Sequence, residues 1–132
     1  MRRTWRPALT RVPLRRRPST GTGARYRRSL HIESVIVRAS SRIAPLIAQL
    51  EKRNRNLADQ LDRASSSVLL DTSEGAYSQK ANRTARYFNA LGSAGETRSC
   101  LELAHLRYGL AFDAALRDDL DHVIAVLWKL TR

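Results

Sequence analysis

Apolar side chains recur every three or four residues along most of this chain, in four separate runs, which is the period of amphipathic α-helices. The first run, at about residues 30–52, carries Ile32, Ile36, Ala39, Ile43, Leu46 with Ile47, and Leu50. Pro45 lies inside it and predicts a kink or a break, because it removes one backbone hydrogen bond and crowds the preceding turn. A polar stretch, residues 51–56, connects it to the second run, at about 56–75, where Asn56 is the expected N-cap. Leu57, Leu61, Ala64, Val68 and Thr72 form that stripe, and Gly75 is the expected stop. The third run, at about 80–108, is read as Ala81, Thr84 with Ala85, Phe88, Leu91, Gly95, Ser99, Leu103 and Leu106, ended by Gly109. The last, at about 113–131, repeats Leu116, Leu120, Val123, Leu127 and Leu130 behind a candidate N-cap, Asp113.

Four such helices with short links predict an all-α fold, an antiparallel up-down-up-down four-helix bundle. Apolar positions beyond the stripes (Val35, Val37, Leu69, Leu70, Tyr87, Ile124 and Trp128) point to a second buried surface, in a homo-oligomer or in a wide monomer core. Small residues sit in mid-helix, Ser65-Ser66-Ser67 in the second run and Gly92-Ser93-Ala94-Gly95 in the third. Two glycines there cost roughly 1 kcal/mol each relative to alanine. Close helix–helix contact is the expected compensation.

Charge divides the chain differently. Arg2, Arg3, Arg6, Arg11, Arg15, Arg16, Arg17, Arg25, Arg27 and Arg28 fall within residues 1–28, which hold no acid. Those ten account for most of the formal net charge of +12, leaving 14 basic and 12 acidic groups on residues 29–132. With Pro7, Pro13, Pro18, Gly21 and Gly23, residues 1–28 read as a disordered basic arm, and residues 29–132 as the bundle. A mis-assigned start would also produce such a segment. An organelle transit peptide shares its composition, but the prolines break the helix such peptides form. There is no hydrophobic core of a secretory signal, and no apolar run of the roughly 18–20 residues that span a bilayer. Cys100 is the lone cysteine, so neither an internal disulfide nor a cysteine-based metal site is expected, and a reducing, cytoplasmic setting is the simple reading.

Two linked motifs run from Leu57 to Val68 with Asp71-Thr72-Ser73-Glu74-Gly75, and from Ala85 to Glu96. Together they resemble the bacterial four-helix-bundle family first noticed as proteins encoded in intervening sequences of 23S ribosomal RNA genes. The likeness covers about residues 30–131 and leaves out the arm. Asp71 stands where the family usually has Asn, and Thr72-Ser73 where it often has Ile-Ala. The resemblance implies a homopentameric ring of bundles. It also implies kinship with the accessory variability determinant of diversity-generating retroelements, a basic pentamer that binds its reverse transcriptase and nucleic acid. Glu74, Gly75, Gly92, Ser93, Gly95 and Glu96 are the structural-motif residues it singles out, with ion pairing or hydrogen bonding expected at Glu74 and Glu96.

No catalytic constellation emerges. His31, His105 and His122 lie on different expected elements and show no metal-ligand spacing. Asp118, Asp119 and Asp121 read as a solvated face near a helix N-terminus, where the dipole favours acids. Cys100 and His105 are poorly spaced for a nucleophile and its base, and Gly92-Ser93-Ala94-Gly95 lacks the lysine of a phosphate loop. The expectation is a non-enzyme without cofactor or metal. The arginines carry the functional signal: their planar forks suit phosphates, and a dense array drives binding to DNA or RNA backbone by counterion release. Arg53, Arg55, Arg83 and Arg86 extend that basic surface onto the bundle. The alternative is a protein-interaction scaffold without nucleic acid.

Overall fold

The computed structural model describes residues 20–132, with side chains described from His31 onward. The described residues form four helices: α1 (Thr20–Glu51), α2 (Arg55–Tyr77), α3 (Lys80–Tyr108) and α4 (Ala114–Leu130). Links this short reverse the chain each time. α1 packs on α2 and α4, and α3 packs on the same two, which closes an antiparallel up-down-up-down bundle.

The stripes expected on α1, α2 and α4 are buried almost residue for residue, from Ile32 to Leu50, from Leu57 to Thr72 and from Leu116 to Leu130. They meet in two apolar clusters. One gathers Ile43, Leu50, Leu61, Leu101 and Leu116 at the end formed by the α1–α2 link; the other gathers Ile32, Ile36, Tyr87, Val123 and Leu127 at the opposite end. α2 and α3 make the most extensive pairing, and both bring small buried side chains to the core: Ala58, Ala64 and Ser65 on α2, Ala90, Ala94 and Ala104 on α3. The fully buried hydroxyls of Thr72 and Thr97 donate to the carbonyls of Val68 and Ser93, at 2.6 and 2.8 Å, so neither is left unsatisfied.

α3 departs from its expected stripe. Its buried face is Tyr87, Ala90, Ala94, Thr97, Cys100, Leu101 and Ala104. Phe88, Ser99 and Leu106 are exposed, and Leu91 and Leu103 are partly so. The helix carries apolar residues on two faces, and Phe88, Leu91, Leu103 and Leu106 lie on the outer one. Alanines face inward because α2 comes close. The glycines do not serve that approach: a Cβ on Gly92 or Gly95 would meet nothing within 4 Å. Val35 and Tyr87, assigned above to a second surface, belong to the core, whereas Val37, Leu70 and Trp128 are exposed.

Several ends also differ. α1 begins at Thr20, so residues 20–28, expected in the arm, continue the first helix. The last of the arm's prolines is Pro18, and two glycines alone do not stop a helix. Pro45 faces solvent, and α1 runs through it unbroken. Asn54, not Asn56, caps α2, its side chain accepting from the Leu57 N–H at 3.0 Å. Asp113 caps α4 as expected, accepting from the Leu116 N–H at 2.8 Å. Gly109 ends α3 in the left-handed region, φ 67°, with its N–H bonded to the His105 carbonyl at 2.9 Å.

Gly75 is not a stop, since α2 continues to Tyr77. Its role is spatial: a Cβ there would lie 2.6 Å from Cε1 of Tyr87, a ring with almost no exposure. The absent side chain makes room for that ring.

Candidate nucleic-acid interface

The four bundle arginines singled out in the sequence fall at opposite ends of the molecule. Arg83 and Arg86 lie just after the α2–α3 link. There the Arg86 guanidinium sits 3.0 Å from Glu74 and 3.6 Å from Asp71. Arg83 Nε donates to the Ser78 carbonyl at 3.0 Å. The motif acid Glu74 is thus ion-paired at an exposed position, and Asp71 shares the same arginine. With Tyr87 seated on Gly75, the α2–α3 link is closed on itself.

Arg53 and Arg55 lie at the α1–α2 link, beside Lys52. All three are exposed, and none has an ion pair among the described residues. Asn54 ties this link to the end of α3: besides capping α2, its Nδ2 donates to the Tyr108 hydroxyl at 3.0 Å. The Arg53 guanidinium lies 5.4 Å from the centroid of the Tyr108 ring, within range of a cation–π contact. Arg107, in the last turn of α3, is also exposed without an ion pair among the described residues. Tyr108 was missed in the sequence, although the topology contains the signal. An up-down-up-down bundle brings the end of its third helix to the link between its first two.

Several other charged groups are engaged with one another. Asp119 is buried, not solvated as expected, because Arg38 crosses from α1 and donates to both its oxygens, at 2.8 and 3.0 Å. That fork holds the Asp119 carboxyl below the usual carboxylate range, against the effect of burial, and Arg42 adds to it from 3.4 Å. Asp121 pairs instead with Arg98 at 2.8 Å, so these aspartates diverge. His31 and His122, placed on separate elements by the sequence, meet edge to face with centroids 6.0 Å apart. Cys100 is buried, and burial pushes its thiol above the ordinary range, which leaves it a poor nucleophile. His105 turns to the Leu110 carbonyl at 3.0 Å. Among the described residues no group of three or more His, Cys, Asp or Glu side chains is placed to hold a metal ion.

Glu96 and Ser93, the other motif residues, border a shallow groove between α2 and α3 with Gln60, Arg63 and Ser67. Glu96 is exposed and, contrary to expectation, has no ion pair among the described residues. Arg2 to Arg17 of the expected arm lie outside the described residues; Arg25, Arg27 and Arg28 lie on the backbone of α1.

Fold and site together define a small all-α bundle protein with a cluster of exposed cations at its α1–α2 link. A family model, the 23S rRNA-intervening sequence protein, matches residues 28–128. The chain belongs to that family. No curated protein and no solved structure matches it. Among the described residues no helix is long and apolar enough to cross a membrane.

Proposed function

We propose that this protein is a non-enzymatic homo-oligomer that binds the phosphate backbone of DNA or RNA and acts in the cytoplasm as an accessory to another protein. One observation carries the nucleic-acid reading: ten arginines without an acid in residues 1–28, on a chain whose other 104 residues are close to neutral. Arg53 and Arg55 extend the same chemistry to the bundle. Arg83 and Arg86 are set apart from this surface, since their guanidiniums already hold partners within the chain.

Self-association is supported by the outer face of α3, where Phe88, Leu91, Leu103 and Leu106 line up beside the open backbone of Gly92 and Gly95. Five copies in a ring, and a retroelement reverse transcriptase as the protein partner, follow from the family resemblance. The same apolar face favours the second reading, a protein-interaction scaffold without nucleic acid.

Binding of the full chain to labelled RNA and DNA, measured across salt concentrations, separates the two. The proposal expects affinity to fall steeply with salt, and to be largely lost when the ten arginines are replaced by glutamine. No binding at low salt leaves the scaffold. Sedimentation tests the assembly, and a monomer at micromolar concentration contradicts it.

A further inference from the structure

The α1–α2 end of the bundle combines features that a solvated charged face does not require. Lys52, Arg53 and Arg55 fall within four residues, with Glu51 as the flanking acid, and have no ion pair among the described residues. By contrast, Arg38, Arg42, Arg86, Arg98 and Arg117 are all neutralised by acids within the chain. Arg53 is backed by the Tyr108 ring, and the Tyr108 hydroxyl is held by Asn54. A guanidinium plane supported in this way can stack on an unpaired base or fork onto a phosphate. The N–H groups of Arg55 and Asn56, in the first turn of α2, have no backbone acceptor within the helix; the cap takes those of Leu57 and Ala58. They add donors for a phosphate beside the cations.

We infer that this end is a second nucleic-acid site, independent of the arm and selective for single strands: Lys52, Arg55 and Arg107 take phosphates, and the Arg53–Tyr108 pair takes a base. This rests on the nucleic-acid reading above and deepens it. A single strand is the better fit because its bases are free to stack, whereas duplex bases are already stacked on one another. Tyr108 is packed against the core and held by Asn54, and the base it receives need not be of one kind. α1 separates this end from the start of the first helix, at Thr20. A helix of 32 residues is about 48 Å long.

The test uses the full chain and a fluorescent hexathymidylate, with a blunt twelve-base-pair duplex as the comparison. The arm-neutralised chain, with glutamine at its ten arginines, is expected to retain measurable hexathymidylate binding. Adding Lys52→Gln, Arg53→Gln and Arg55→Gln should weaken that binding about tenfold or more, and duplex binding by much less. Arg53→Lys keeps the charge but removes the plane, and should lower single-strand affinity severalfold while leaving duplex affinity unchanged; circular dichroism confirms that each variant is folded. Photo-cross-linking of 5-iodouracil oligonucleotides should mark Tyr108 or the 52–55 segment. Cross-links confined to residues 1–28, or equal losses for duplex and single strand, overturn this inference and leave the wider reading in place. Absence of binding by the unaltered chain removes both.

Discussion

The arginines beside the two links of α2 are the same kind of residue put to opposite use. At the α2–α3 end, Arg86 is shared by Glu74 and Asp71, Arg83 is bonded to a carbonyl, and the Tyr87 ring fills the space that Gly75 leaves. At the α1–α2 end, Lys52, Arg53 and Arg55 have no acid to answer them, and one guanidinium rests on a tyrosine. Two arginines beside a turn look alike in a sequence. Whether acids on neighbouring helices reach them decides whether they hold the fold together or remain available to a ligand.

That contrast predicts stability effects without binding effects at the closed end. Tyr87→Ala should be the most damaging change, costing about 3–5 kcal/mol in denaturant unfolding, because it empties a fully packed site. Gly75→Ala should cost about 1–3 kcal/mol, since the added methyl must displace the same ring; an unaffected midpoint would mean that the ring moves freely. Between the two ends, Gly92→Ala and Gly95→Ala should each stabilise the isolated bundle by about 1 kcal/mol, because open space surrounds both positions. If the outer face of α3 mediates self-association, the same substitutions should weaken assembly in sedimentation, and unchanged assembly would place the interface elsewhere. Arg86→Gln should cost less than about 1 kcal/mol, as exposed ion pairs do, and leave nucleic-acid affinity where it was.

The smallest effect concerns pH. One carboxylate oxygen of Glu33 is buried without a hydrogen-bond partner, and burial raises its pKa against the lowering effect of the Ser73 hydroxyl. A carboxyl whose folded pKa is raised favours folding when protonated. Its contribution is therefore present below the unfolded pKa and is lost as pH rises through the folded one. Glu33→Gln should raise stability slightly at neutral pH and flatten the pH dependence just above the ordinary glutamate range. A destabilised variant at neutral pH would show that the ionised carboxylate is favoured.

Three helices could be read closely from their sequence because most of their large apolar residues lie on one face. Ile32 to Leu50, Leu57 to Thr72 and Leu116 to Leu130 all turn inward. α3 misleads because both its faces are apolar, and periodicity weights Phe88 and Leu106 above Ala90 and Ala94, although the close approach of α2 selects the alanines. Gly75 reads as a stop from local chemistry, and only the position of Tyr87 explains it. The same holds for Asp119: its acidic run suggests a solvated face, and Arg38, 81 residues away, buries it. At the candidate site the arginines were legible and their partners were not. The distinction between Arg53 and Arg86 depends on which acids the fold brings within reach.

The most direct measurement compares the two ends in one experiment. Nucleic-acid affinity of the full chain is followed across salt for Arg53→Gln/Arg55→Gln and for Arg83→Gln/Arg86→Gln. The account predicts that the first pair weakens single-strand binding and lowers the slope of log affinity against log salt by about 0.7, one phosphate contact's worth. It predicts that the second pair leaves both unchanged. Loss of affinity and slope with the second pair, and not with the first, would contradict it.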